Sequence, residues 1–252
     1  MQFAPAPASF FAGRKILVTG GAAGIGRATT DLLLSHGAQV AVWDLQDAAL
    51  SDLSDAHPDM VHAQKVDVSD YAAVEAAMAK LAADWGPIDH LMNNAGIIGR
   101  RMSVRDYDPV ELDRVLGVNL RSAFHVSHAF VSNMSAREGR SIVNLSSIAG
   151  RTGGMVGNIA YATTKGAIAS FTVALAKELA PEVRVNALAP GVIDTAIQKD
   201  VFADPAKIEA MSNVIPMHRL GTAAEVAEAA VWLLSPASSY ITAVLVDVSG
   251  GR

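Results

Sequence analysis

The chain has 252 residues, 51% of them hydrophobic, which is enough apolar side chain for one large α/β domain. A net charge of −5 gives no basic footprint for nucleic acid, and the absence of cysteine excludes disulfides and thiolate metal sites. Residues 1–12 have no basic region and contain prolines, which predicts a loose arm and no signal peptide. No uncharged span of about 18 residues follows, so we expect a cytoplasmic protein that does not cross a membrane.

A strand, a glycine loop, a helix and a second strand are predicted first. Lys15–Thr19 is a short apolar run, Gly20–Gly26 holds four glycines, and Gln39–Trp43 is a second apolar run ending on Asp44. Such a loop lets backbone N–H groups approach a pyrophosphate at a helix N-terminus. A carboxylate at Asp44 can accept hydrogen bonds from the adenosine ribose and would repel a 2′-phosphate. The pattern therefore predicts NAD as the cofactor, in preference to NADP.

The same alternation continues to the end of the chain. Further strands are predicted at 60–66, 88–92, 141–145, 183–188 and 241–248, and the longest helices at 70–85, 108–137, 158–180 and 223–235. About seven strands alternating with helices predict a single α/β domain over residues 1–252, a doubly wound parallel sheet with helices on both faces. Residues 192–216 interrupt the pattern with two prolines, which predicts a mobile flap over a substrate pocket.

A tyrosine and a lysine lie one turn apart where the helix 158–180 begins. Tyr161 and Lys165 fall on the apolar stripe that continues through Ile168, Phe171, Leu175 and Leu179, so both are predicted to point inward. The charge of an inward ammonium would lower the pKa of the phenol and make it a proton donor and acceptor near neutral pH. The alternative is a lysine that snorkels beside a core tyrosine.

Three other polar features could serve either the fold or a binding site. Asn119 is the one amide on the inward stripe of helix 108–137, where it either binds backbone or holds a water in a proton path. Asp67, at the end of the third strand, either meets the adenine or has a helix-capping or solvated role. His125 and His128 are three residues apart, but no HExxH-type pair accompanies them, so we predict no metal site.

In combination, these motifs resemble those of the short-chain dehydrogenases/reductases from about Lys15 to Gly251. The resemblance is carried by Thr19 to Gly26, Asn93-Asn94-Ala95-Gly96, Asn119, Ser147, Tyr161 with Lys165, and Pro190-Gly191 followed by Thr195. It implies a Rossmann-type fold and reversible, NAD-dependent hydride transfer between a secondary alcohol and a ketone. The chain departs from the family pattern near its end, where many relatives have a Thr-Gly pair and this chain has Thr242-Ala243.

The resemblance also implies roles for individual residues. Tyr161 would be the acid/base and would also contact the cofactor. Lys165 would bind the nicotinamide ribose and lower the pKa of the tyrosine, and Asn119 would hold a relay water. Ser147 would orient the substrate oxygen, with Ser146 as its competitor for that role. The remaining cofactor contacts would be Thr19, Gly20, Gly24, Ile25 and Gly26 at the pyrophosphate; Asp44 at the ribose; Asp67 and Val68 at the adenine; Asn94, Ala95 and Gly96 along the cleft; and Pro190, Gly191, Ile193 and Thr195 at the nicotinamide.

The substrate is predicted less sharply than the reaction. Its expected contacts, besides Ser147 and Tyr161, are Met155, Asn158 and Val192, a mostly apolar set that fits a small neutral or cyclic alcohol, or a polyol or sugar. One competing function is reduction of carrier-linked 3-oxoacyl groups, which Arg100 and Arg101 would favour unless both are simply solvated. Another is nucleotide sensing without turnover. The resemblance further implies a homotetramer assembled through the helices at 108–137 and 158–180.

Overall fold

The computed structural model of the protein describes residues 8–195 and 205–252. Its central sheet has seven parallel strands in the order β3-β2-β1-β4-β5-β6-β9, and two short strands, β7 and β8, pair separately. The strands are β1 Lys15–Thr19, β2 Gln39–Asp44, β3 Val61–Lys65, β4 His90–Asn93, β5 Arg140–Leu145, β6 Val183–Pro190, β7 Ile193–Asp194, β8 Gly221–Thr222 and β9 Leu245–Val248. This sheet confirms the predicted Rossmann-type α/β fold.

Helices cover both faces of the sheet because its buried strands are apolar on both sides. Along β1, Ile16 and Val18 belong to one hydrophobic cluster, while Leu17 between them belongs to the cluster on the opposite face. The helices are α1 Gly24–Ser35, α2 Asp47–Ala56, α3 Tyr71–Trp85, α4 Pro109–Leu116, α5 Ser122–Asn133, α6 Ala149–Thr152, α7 Ile159–Leu179, α8 Pro205–Asn213 and α9 Ala223–Leu234. Helices α1 and α9 cover the first face, and α3, α5 and α7 cover the second.

Side-chain caps fix two predicted helix starts. The Asp70 carboxylate accepts hydrogen bonds from the first turn of α3, at 2.9 Å from the N–H of Ala72. Thr222 and Glu225 form the predicted capping box at the start of α9. Because the caps satisfy backbone N–H groups that a helix leaves free at its start, these boundaries are encoded locally in the sequence.

Three predictions about elements need correction. The helix predicted at 108–137 is divided by a π-helical turn at Gly117–Arg121 and ends at Asn133. Helix α2 was not predicted at all. Within the predicted loose arm, Phe11 is only 1% exposed and packs against His90, with the ring centroids 6.0 Å apart. Burial of that aromatic ring holds the described end of the arm to the core, while residues 1–7 lie outside the described residues.

Helix α7 is a core helix whose buried face differs from the predicted one. Lys165 and Ile168 are buried as expected, but Thr172 and Ala176 complete the buried face, and Phe171, Leu175 and Leu179 are only partly covered. The small side chains let the helix approach strand β6 closely. By length and composition α7 could also span a membrane, yet 39% of its most apolar window is buried in the fold. We therefore interpret its hydrophobicity as core packing.

Ala243 marks the place where the sequence departs from the family pattern. Its φ of 63° lies in the left-handed region, which an alanine occupies at a cost of about 1–2 kcal/mol and a glycine occupies freely. Its N–H nevertheless donates to the carbonyl of Val185, 2.8 Å away, as the chain turns toward β9. The alanine therefore adds backbone strain to this turn, which is remote from the glycine loop.

Candidate active site

The glycine loop between β1 and α1 is shaped to receive an anionic group. Gly20 and Gly24 have φ values of 62° and 53°. A Cβ on Gly26 would overlap the carbonyl oxygen of Gly20 and lie 2.5 Å from Nδ2 of Asn94. Helix α1 starts after Ala23 without a side-chain cap, so the first N–H groups of the helix remain available to a ligand. These features fit the pyrophosphate of a dinucleotide.

Thr19 and Asn94, both predicted to contact the cofactor, stabilise the glycine loop through hydrogen bonds to backbone groups. The buried hydroxyl of Thr19 accepts hydrogen bonds from the N–H groups of Asn94 and Ala95, both at 3.1 Å. The Asn94 amide donates to the carbonyls of Thr19 at 2.9 Å and Gly20 at 3.0 Å. Thr19 and Asn94 therefore tie the end of β1 to the end of β4, and their side chains position the loop on which a cofactor would rest.

The two predicted adenosine contacts differ in how they are held. At the end of β2, the Asp44 carboxylate accepts from the N–H of Ala22 at 3.0 Å and from the N–H of Leu45 at 2.7 Å. Asp44 is thus fixed beside the glycine loop. Asp67 accepts from the N–H and the hydroxyl of Ser69 at 2.9 and 2.6 Å, in the turn that precedes the cap of α3. Asp67 is exposed and is not the cap of α3, which is Asp70, and its neighbour Val68 is buried.

The structure distinguishes the two candidate serines at the end of β5. The Ser146 hydroxyl donates to the carbonyl of Lys165, 2.7 Å away, and so binds the backbone of α7. The Ser147 hydroxyl accepts from the N–H of Ala149 at 3.1 Å, donates to the carbonyl of Pro190 at 3.5 Å, and lies near enough to the phenol of Tyr161 to lower its pKa. Ser147 is therefore the serine placed to contact the same substrate oxygen as the tyrosine.

Lys165 joins this pair to the cofactor cleft. Its side chain is 4% exposed, and Nζ donates to the carbonyl of Leu145 at 2.7 Å and lies 5.8 Å from the centre of the Tyr161 ring. Burial lowers the pKa of Lys165 to about 8. Lys165 Nζ and Asn119 Oδ1 each lie 3.3 Å from where a Cβ of Gly96 would be, so only glycine leaves this part of the cleft open.

One electrostatic expectation for the tyrosine was wrong. Lys165 is predicted to lower the pKa of Tyr161, but burial of the phenol raises that pKa, and the nearby Ser147 hydroxyl offsets only part of the rise. The reason is geometric, because Nζ is bonded to the Leu145 carbonyl instead of the phenol oxygen. A raised pKa keeps the phenol neutral near pH 7, which is the form that can give a proton to a carbonyl oxygen.

Asn119 lies in the π-helical turn and its amide is engaged by the protein. Oδ1 accepts from the N–H of Ile97 at 2.7 Å, and Nδ2 donates to the carbonyl of Ile97 at 2.8 Å and to the hydroxyl of Thr164 at 3.1 Å. The Thr164 hydroxyl in turn donates to the carbonyl of Tyr161 at 2.7 Å. Of the two interpretations, the structure favours binding to backbone. Thr164 was missed by sequence reasoning because a helical threonine gives no distinctive pattern.

The end of β6 and the residues that follow it contact the elements around the site. The carbonyl of Pro190 accepts from the N–H of Ile148 at 3.1 Å, and Gly191 packs so closely against Ser249 that a Cβ on the glycine would lie 2.8 Å from the serine Cα. Thr195 Cγ2 lies 3.7 Å from the Cβ position of Gly24 and so borders the glycine loop. Ile193 is buried in the core, which leaves its backbone as the part that could meet a cofactor.

The predicted substrate contacts do not line a common cavity in the described part of the chain. Met155 is 39% exposed and precedes α7, and among the described residues the buried Oδ1 of Asn158 has no hydrogen-bond partner. Val192 instead borders a cavity of about 670 Å³ near the C-terminal residues, whose lining includes Arg151 and Asp247 but neither Ser147 nor Tyr161. The predicted flap residues at 196–204 lie outside the described residues. The structure therefore brings the catalytic candidates Ser147, Tyr161 and Lys165 together, but it does not bring the predicted substrate contacts together in one place.

The known proteins that match this chain are named as reductases or dehydrogenases. The family model described as enoyl-(acyl carrier protein) reductase matches residues 20–252. The chain is 38% identical to the 3-oxoacyl-(acyl-carrier-protein) reductase FabG of Chlamydia muridarum, covering 96% of this chain and 98% of that protein. It is 37% identical to 2-dehydro-3-deoxy-L-rhamnonate dehydrogenase (NAD(+)) of a Sphingomonas species, covering 96% of each. A crystal structure titled short-chain dehydrogenase/reductase, glucose/ribitol dehydrogenase, from Brucella melitensis superposes with a TM-score of 0.90 at 31% identity, over 96% of this chain and 97% of that one.

Proposed function

Because the chain belongs to the short-chain dehydrogenase/reductase family, we propose that it is an NAD-dependent oxidoreductase that interconverts a secondary alcohol and a ketone. The observation that carries the proposal is the convergence of Ser147, Tyr161 and Lys165 at the end of β5, where Lys165 also borders Gly96. We further propose that the whole chain acts as one domain in the cytoplasm, on a small-molecule substrate.

Each of these side chains has a distinct task in the proposed reaction. The bound nicotinamide supplies the hydride acceptor, or in reverse the hydride donor. When a ketone is reduced, its carbonyl carbon gains the hydride and its oxygen gains the proton of the Tyr161 phenol. Ser147 would donate a hydrogen bond that orients the same oxygen, and Lys165 would hold the nicotinamide ribose. When an alcohol is oxidised, its hydroxyl proton would pass to the deprotonated form of Tyr161, which the raised pKa makes the minor form near pH 7.

The preference for NAD over NADP is proposed from Asp44. Its carboxylate is held beside the glycine loop by the N–H groups of Ala22 and Leu45, where it can accept from the ribose hydroxyls and would repel a 2′-phosphate. The name of the Sphingomonas relative includes NAD(+), whereas the name of the FabG relative leaves the cofactor open.

Exchanging Asp44 for asparagine tests this preference, because the variant keeps the hydrogen-bond acceptor and removes the charge. We expect the native protein to favour NAD, and Asp44→Asn to raise kcat/KM for NADP by about tenfold, the equivalent of about 1.4 kcal/mol. The matched control is Asp47→Asn, which removes an exposed carboxylate in the next helix. Steady-state kinetics with both cofactors, over a panel of secondary alcohols, sugars and 3-oxoacyl thioesters, measure the effect. A native protein that prefers NADP would contradict the assignment.

A second candidate function is reduction of 3-oxoacyl groups. It is favoured by the FabG relative, which matches this chain along nearly its full length. The same panel separates the two candidates, since a carrier-linked reductase would act on the thioesters and leave free sugars and alcohols unchanged.

We also propose a homotetramer built through α5 and α7. The Phe124 side chain is 53% exposed, and its ring lies 4.3 Å from that of Phe171 on α7, which leaves aromatic surface open to a second copy. Phe124→Asp places a charge in that surface, so we expect the variant to form smaller species. Light scattering after size-exclusion chromatography measures the molar mass. Ala83→Asp, on the exposed side of α3, should leave the mass unchanged. A native protein that elutes as a monomer would overturn the proposal.

A further inference from the structure

Two adjacent arginines beside the candidate site differ in their partners. Arg100 is neutralised, because its Nη2 lies 2.5 Å from the Asp108 carboxylate. Arg101 has no carboxylate within ion-pair distance in the described part of the chain, and Nη2 instead donates to Sδ of Met155 at 3.4 Å. A thioether is a weak acceptor, and a guanidinium has five N–H donors. Most of the donors of Arg101 are therefore free to bind another group.

The backbone under Arg101 is fixed even though its side chain is exposed. The N–H of Met102 donates to the carbonyl of Gly157 at 2.9 Å, and Met102 forms a bridge with Asn158. A Cβ on Gly157 would lie 3.2 Å from Cβ of Arg101. These contacts hold the base of Arg101 against the residues that immediately precede α7, and Tyr161 lies in the first turn of that helix.

We propose that Arg101 binds a carboxylate of the substrate, which makes the substrate a hydroxy acid or an oxo acid. The inference rests on the proposed function and narrows its substrate class. Guanidinium and carboxylate groups pair through two parallel hydrogen bonds, which would fix one end of the substrate while Ser147 and Tyr161 hold the reacting oxygen. In a protein with a net charge of −5, a cation at this position would also attract an anion toward the site.

The experiment compares substrates that differ only in charge. The probes are acetoacetate and 4-oxopentanoate with their methyl esters, reduced by NADH. We expect the native protein to favour the acids, and Arg101→Gln to lower kcat/KM for them by about 10- to 100-fold through KM, the range for a hydrogen bond to a charged group. The esters should be reduced equally well by both proteins. The matched control is Arg105→Gln, which removes another exposed arginine from the same segment. It should leave kcat/KM unchanged for both the acids and the esters.

The outcomes separate this inference from the function on which it rests. Equal rates for acids and esters in the native protein, or equal losses for both in Arg101→Gln, would overturn the carboxylate contact and leave the oxidoreductase standing. Turnover of neutral alcohols in the wider panel without turnover of any acid would likewise overturn the carboxylate contact and leave the oxidoreductase assignment standing. No turnover of any alcohol, ketone or thioester with either cofactor would overturn the proposed function and this inference with it.

Discussion

Replacing Tyr161 with phenylalanine is expected to lower kcat by about 10²- to 10⁴-fold, the usual contribution of a positioned general acid or base. The variant loses only the phenol oxygen, which faces the Ser147 hydroxyl. The ring remains beside Lys165, whose Nζ is held independently by the carbonyl of Leu145. Binding of NADH, measured by fluorescence titration, should therefore change little while turnover is lost.

The control for this variant is Tyr240→Phe. Tyr240 is fully exposed, so loss of its hydroxyl should leave kcat unchanged. A Tyr161→Phe protein that keeps native turnover would refute the acid/base role. A variant that loses NADH binding as well as turnover would instead assign the phenol to the cofactor site.

Replacing Gly26 with alanine is expected to disrupt the glycine loop. The added Cβ would overlap the Gly20 carbonyl oxygen and lie 2.5 Å from the Asn94 amide, and both atoms belong to the hydrogen-bonded connection between β1 and β4. Because neither can move alone, we expect a loss of about 3 kcal/mol in the free energy of unfolding, the upper part of the range for overpacking. Affinity for the dinucleotide should fall with it, because the loop loses its shape.

Gly24→Ala provides the comparison within the same loop. Its Cβ would meet only Thr195 at ordinary contact distances of 3.7 and 3.8 Å, so the cost is the left-handed backbone, about 1–2 kcal/mol. Thermal melting and calorimetric titration with NADH measure both variants. A Gly26→Ala protein that melts and binds like the native one would show that the close packing of α1 against β1 is not required.

Local patterns in the sequence were sufficient for much of the fold. The alternation of apolar runs and helices predicted the seven-stranded parallel sheet, and the caps at Asp70 and Thr222 marked helix starts, because these signals act over a few residues. The order of the motifs also placed Ser147, Tyr161 and Lys165 at the ends of the correct elements. Helix α2 was missed because few apolar side chains face the core from it.

Contacts between distant residues decided what the sequence left open. Ser146 binds the backbone of α7 and leaves Ser147 to face Tyr161, and Lys165 bonds to Leu145, so that burial raises the pKa of the phenol. The sequence by itself determined which elements form and which side chains gather at the ends of the strands. Only the tertiary structure decided the partner of each buried polar group, because desolvation and hydrogen bonding depend on neighbours that are far apart in the chain.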